Sequence, residues 1–172
     1  LSYHLGIHAP GEKNLAHALL AAHHLLLAQG HAFETIKRVD KRAKVSTVVN
    51  TETSYAFSSE PKDIEAARRA DGYFNRWFLD PLFVGNYPQD VVALYGKAMP
   101  KITSKDMEVI RMGSKLHTLG VNYYCGKINK WDKAAELGYA HSIDKNGQIN
   151  DLGWPICVPP TYPEGLYDIL QQ

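Results

Sequence analysis

Cysteine is scarce: Cys125 and Cys157 are the two in 172 residues, too few for the disulfide framework that staples small secreted domains. Read as free thiols, they place the protein in a reducing compartment, and a cytoplasmic location is expected. Long apolar runs are missing as well. None exceeds five residues, as at Ala18–Ala22, against the roughly 20 that a membrane helix needs, and no charged-then-apolar leader opens the sequence. Excess charge of either sign is absent too. Nineteen Lys and Arg stand against eighteen Asp and Glu, a net charge of +1, so no summed field draws the chain to nucleic acid or anionic lipid. Neither a nucleic-acid nor a membrane partner is expected.

Several chemical signatures are also lacking. There is no GxGxxG or GxxxxGK loop to cradle a phosphate, and no GxSxG elbow for a serine nucleophile. No cofactor is expected. Histidines number eight, and His17, His23, His24 and His31 crowd one segment. Helical zinc sites use an i, i+4 pair, but His17 is followed four residues later by Ala21 and His23 by Leu27. These histidines therefore read as surface or satisfied core residues, and no metal site is expected.

With 45% apolar and 22% charged residues, the chain has the composition of a folded domain, and its length is that of one. Residues 12–39 read as a helix whose Leu15, Leu19, Ala22, Leu26 and Phe33 fall near helical spacing. Leu20, Leu25 and Leu27 widen the stripe, which predicts packing on several sides. Gly30 sits within it at a cost of about 1 kcal/mol against Ala unless a close neighbour requires the missing side chain.

Lys44–Asn50 is a β-branched run with uncharged residues on both faces from Val45 on, the pattern of a strand buried on two sides in a parallel α/β sheet. Ser58-Ser59-Glu60-Pro61 starts a second helix, with Pro61 in the first turn and Asp63 near the positive end of the dipole. It is predicted to run to about Leu79 and to break or kink at Asp80-Pro81. Shorter helices follow near 89–97 and 104–113, then a strand over 118–124, where Asn122 and Tyr124 share a face. Residues 127–163 read as a long loop, and 164–171 as a closing helix. Two convincing core strands in 172 residues are too few for a closed (β/α)8 barrel, which takes about 250 residues.

Polar residues gather at the ends of the two strands: Asn50, then Tyr55, and Asn122 with Tyr124. In a parallel barrel such positions build the active site; the plainer reading is that Asn50 turns the chain and Tyr124 fills core.

Four segments carry a resemblance in consistent order: Tyr3–Gly11 (YHLGIHAPG), Asp63–Pro88 (DIEAARRADGYFNRWFLDPLFVGNYP), Leu119–Tyr124 (LGVNYY), and GWPI followed by YPEGLYDIL near the end. Together they resemble the middle of a family 1 glycoside hydrolase of the β-glucosidase type. The resemblance implies an α/β fold, part of a (β/α)8 TIM barrel from about the fourth helix to the sixth strand and following loop, with residues 1–172 a single partial domain. It also implies retaining hydrolysis of β-glucosides or short β-linked oligosaccharides, with one carboxyl as acid/base and a second as nucleophile, about 5–5.5 Å apart.

The family holds those carboxyls in an Asn-Glu-Pro and a Glu-Asn-Gly motif, and neither occurs in this sequence. The nearest imitations are Ser59-Glu60-Pro61 and Lys145-Asn146-Gly147. By carry-over, Tyr124 matches the tyrosine that hydrogen-bonds and orients the nucleophile, Asn122 is a polar neighbour on the same inward face, and Asn50 and Tyr55 line the pocket on the leaving-group side. A phenol beside a carboxylate favours its charged form, as an attacking group requires. The chain alone is thus expected to be inactive and to need the remainder of the barrel or a second chain. The rival expectation is a catalytically dead barrel fragment that serves as a binding or assembly module. Departures from the family pattern are Thr118, Cys125, Ala56 and an apparent insertion over Cys157–Thr161.

Overall fold

The computed structural model of the chain describes residues 1–142 and 164–171. They fall into two compact units, one of Leu1–Thr47 with Arg76–Leu119 and the other of Val48–Asn75 with the described part of Gly120–Gln172.

The first unit is helical. Helix α1 spans Leu15–Val39, capped by the Asn14 side chain, which accepts from the His17 N–H. It continues through Gly30, and the reason is steric: a Cβ there would lie 2.1 Å from the Val109 carbonyl oxygen. The glycine lets α1 meet α5 (Ser104–Met112) backbone to backbone. Leu15, Leu19, Ala22, Leu26 and Phe33 are buried as the spacing predicts. The widened stripe is not, since Leu25 is 67% exposed and Leu20 is exposed as well; helical geometry turns these two away from the buried row.

Helix α2 of the second unit spans Pro61–Asp71, a π-helical turn follows over Gly72–Arg76, and α3 of the first unit covers Trp77–Phe83 with Pro81 inside it. The expected break at Asp80-Pro81 is thus absent, and the irregularity lies earlier, at the π turn. Ala67, Ala70, Trp77 and Leu82 are buried, whereas Ile64, ahead of the π turn, and Phe83, after it, are exposed. Trp77 stacks on Tyr87 with ring centroids 4.3 Å apart and meets Tyr95 edge-on at 5.0 Å. Arg76 forks onto Asp90 through two bonds of 2.9 and 2.8 Å. Helix α4 covers Gln89–Tyr95. At the start of α5, Thr103 and Asp106 form a reciprocal capping box.

His23 is buried in this unit. Its Nδ1 lies 2.9 Å from the Tyr87 hydroxyl and its Nε2 3.6 Å from Asp106. Burial lowers its pKa despite the opposing pull of Asp106. His17 is an exposed residue bonded to Glu12. Both fit the surface-or-satisfied reading of the histidines.

The second unit holds most of the sheet. Strands β1 (Ser46–Ala56), β2 (Thr118–Trp131) and β3 (Tyr139–His141) lie in the order β1-β2-β3. Partners on β1 and β2 advance together, His117 N–H to Val45 C=O at the start and Phe57 N–H to Asn129 C=O at the end, so the two run parallel. Strand β3 returns antiparallel, pairing Asn129 with His141 and Trp131 with Tyr139. The loop expected from residue 127 therefore begins as a hairpin, turned at Gly138 with φ 72°. Its strands carry little hydrophobic alternation, so the pattern did not reveal them; the rest of that loop, 143–163, lies outside the described residues. Asp63 is drawn inward: its carboxylate accepts from the Ser58 hydroxyl at 2.6 Å and the Trp131 N–H at 2.9 Å, and these two bonds lower its pKa. Helix α6 covers Glu164–Leu170.

Two further expectations are corrected. Cys125 is disulfide-bonded rather than a free thiol; Cys157, the one other cysteine, lies outside the described residues. Strand β1 is not buried on two sides: Ser46, Val48 and Asn50 are exposed. No helix among the described residues is long and apolar enough to cross a membrane.

Two predictions follow from the helical unit. Replacing Gly30 by Ala forces α1 and α5 apart and should lower stability by about 1–3 kcal/mol, read from the urea midpoint. A histidine whose pKa is lowered on folding contributes stability that is complete above its unfolded value near 6.5 and is lost as pH falls. Amide protection of α1 and α5 should therefore decline from pH 7.5 to 5.5, and His23→Gln should flatten that decline.

Candidate active site

Strand residues alternate between faces, and side-chain contacts identify the two faces of the β1–β2 pair. On one, Thr51 and Thr53 are buried. The Thr51 hydroxyl donates to the Asn122 carbonyl at 3.2 Å, and Thr53 and Tyr123 bring their hydroxyls within 3.3 Å. Gly165 of α6 closes this side, for a Cβ there would lie 1.9 Å from the Tyr123 hydroxyl. Gly126 on β2 also faces this side, its missing Cβ falling 2.6 Å from Thr53 Oγ1, so the alternation is interrupted between Tyr124 and Gly126.

The opposite face carries Asn50 on β1 and Asn122 and Tyr124 on β2. All three are exposed, Tyr124 at 72%, beside Val48 at 63%. The structure thus brings together three of the four sequence-predicted site residues. Tyr55 is not among them. It lies an odd number of residues from Asn50, and its hydroxyl donates to Asp168 of α6 at 2.5 Å on the packed side. Strand alternation, counted from Asn50, separates the two.

The same count finds residues that the sequence reading did not single out. Glu52 and Ser54 continue the row of Asn50 toward the carboxyl end of β1. Burial pushes the Glu52 carboxyl up to about 7, against the opposing pull of the Lys127 ammonium. Tyr139 feels the Glu52 charge in turn, and its phenol is raised chiefly by burial. On β3, His141 Nδ1 lies 2.9 Å from Asn129 Oδ1, and its pKa is lowered by burial and by Lys127. Among the described residues no group of three or more His, Cys, Asp or Glu is placed to hold a metal.

A parallel strand pair with helices, one face packed and one left open with an Asn and Tyr row, is what part of a barrel wall presents. The sequence profile of glycosyl hydrolase family 1 matches residues 1–172. The chain belongs to that family. Beta-glucosidase A of Acetivibrio thermocellus is 34% identical over 172 residues, covering 99% of this chain and 37% of the relative. Among solved structures, a beta-glucosidase from Exiguobacterium marinum superposes with a TM-score of 0.84 at 34% identity, over 98% of this chain and 37% of that one. The virulence factor SghA of Agrobacterium tumefaciens, in complex with its substrate analog salicin, gives 0.85 at 32% identity, over 99% and 37%. The family 1 chain thus spans little more than a third of the length of these relatives, and its helices and partial sheet correspond to part of their (β/α)8 barrel.

The Glu52 carboxyl generates a prediction. A carboxyl raised on folding contributes stability that is complete below its unfolded value near 4.5 and is lost as pH climbs through about 7. Amide protection of the sheet should therefore fall across that window, and Glu52→Gln should abolish the fall, leaving the variant the more stable above pH 7.

Proposed function

We propose that this chain is an internal part of a retaining β-glucosidase, a single partial barrel domain that supplies wall and orienting groups to a site completed elsewhere. The observation that carries the reading is the exposed row of Asn50, Asn122 and Tyr124 on the face turned away from α6. In a barrel that face is the interior, and the carboxyl ends of its strands hold the substrate.

The chemistry follows from the groups. The Tyr124 phenol donates to the nucleophile carboxylate, lowering its pKa and fixing its orientation for attack on the anomeric carbon. Asn122 and Asn50 offer amide donors and acceptors to sugar hydroxyls. The two catalytic carboxyls belong to the Asn-Glu-Pro and Glu-Asn-Gly motifs absent from this sequence, so the remainder of the barrel must bring them. The substrate class is a β-glucoside or short β-linked oligosaccharide, and the salicin bound by SghA supports a glucoside. The likeness of FLDPLFVGNYP to the plain β-glucosidase branch favours an unphosphorylated sugar.

The second reading, a dead fragment that acts as an assembly module, draws on one observation. Strand β1 stands at the sheet edge with Val48 exposed, and such an edge invites another chain.

A chromogenic aryl β-glucoside tests the proposal. The purified 172-residue chain should give no turnover, and co-expression with flanking segments that carry the two carboxyl motifs should restore it. In the restored enzyme Tyr124→Phe should lower kcat about tenfold or more, the loss of one hydrogen bond to a charged group. Turnover by the isolated chain, with contaminating enzyme removed, would refute the assignment; one defined homo-oligomer in native mass spectrometry, with no activity on completion, would favour the assembly module.

A further inference from the structure

Strand β1 lies at the edge of the sheet. Its odd-numbered residues Val45 and Phe57 mark the side bonded to β2 at either end of the strand. Successive residues turn their backbone groups to alternate edges, so Ser46, Val48, Asn50 and Glu52 turn theirs to the other edge. At Glu52 both groups on that edge are already taken, and by a single side chain. The Glu52 N–H donates to Asn75 Oδ1 at 3.2 Å, and the Glu52 carbonyl accepts from Asn75 Nδ2 at 2.7 Å.

A primary amide carries one acceptor and a donor in the same plane, as a peptide unit does, and so can replace one peptide of a neighbouring strand. Asn75 is held for that task. Its Nδ2 also donates to Asp71 Oδ1 at 2.7 Å, and the residue is 1% exposed. It rides on the π-helical turn Gly72–Arg76, a rare conformation that often marks functional positions. Asp at this position would lack the donors, and Ala would lack both groups.

We propose that Asn75 is a positioning residue that ends strand pairing along this edge of β1 at Glu52, leaving only Ser46–Asn50 able to accept a neighbouring strand. Given the barrel reading above, on which this consequence rests, the strand that completes the wall on this side pairs no further than Asn50. Asn50 is then the last site residue held by a continuous ladder, and Glu52 and Ser54 lie beyond it at the open end. The amide also protects the edge from pairing with a second copy at its carboxyl end.

Residue-resolved amide exchange on the 172-residue chain tests this. In the unaltered chain the Glu52 N–H should be protected while those of Val48 and Asn50 exchange freely. In Asn75→Ala the Glu52 amide should exchange about tenfold faster or more, with Thr51 and Thr53, whose amides face β2, unchanged. Equal rates for Glu52, Val48 and Asn50 in the unaltered chain would overturn the proposal, and this comparison decides the matter even if the variant does not fold. Equal loss at Thr51, Glu52 and Thr53 in Asn75→Ala would also overturn it, since that marks general loosening. On addition of the flanking segments, Val48 and Asn50 should gain protection; failure to do so counts against the barrel reading and leaves the result at Glu52 standing.

Discussion

The closed back of the β1–β2 pair is the constraint on which the candidate site depends. The Thr51 hydroxyl ties β1 to the Asn122 carbonyl, Thr53 and Tyr123 meet through their hydroxyls, and Gly126 and Gly165 leave no room for even a methyl group. Because neighbouring strand residues point to opposite faces, placing Thr51, Thr53 and Tyr123 on one commits Asn50, Asn122 and Tyr124 to the other. A one-residue slip of either strand would exchange the two sets and bury the polar row. The tight glycines therefore act on the site at one remove, by fixing the register that exposes it.

Glycine performs a related task in the helical unit. Gly30 brings α1 against the Val109 carbonyl, and α5 is then placed so that Asp106 serves both its own capping box and the neighbourhood of His23. A buried histidine beside a tyrosine and near an aspartate has the look of catalytic machinery. Its pKa lowered by burial, its hydrogen bond to a buried phenol and its ring contact with Tyr87 suit a core polar group instead. Perturbed titration marks this group and Glu52 alike; position on an open face separates them.

Much of the fold was legible. The long helix through Gly30, the start at Pro61, the short helices after Pro88 and the closing helix are written in local spacing and capping residues. What escaped depends on partners distant in sequence. The β2–β3 hairpin has weak alternation and exists through its pairing of residues 129–131 with 139–141. The π turn at Gly72–Arg76 has no sequence signature of its own. Burial on both sides of β1 was read from uncharged residues, but lack of charge permits burial without requiring it, and the face bearing Val48 is open.

By itself the sequence determined the family, through ordered segments such as WFLDPLFVGNYP and NYY, and it determined that neither catalytic carboxyl motif lies in this stretch. Those are matters of residue identity, which a linear string carries in full. The folded chain settles that Tyr55 turns to Asp168 while Asn50 stays on the face of Tyr124, that Glu52 joins that row with its carboxyl pushed up, and that Asn75 occupies the edge of β1. The physical reason is that these outcomes hinge on which face or edge a group occupies once strands pair and helices cover them, and residues 20 to more than 100 positions apart settle that together.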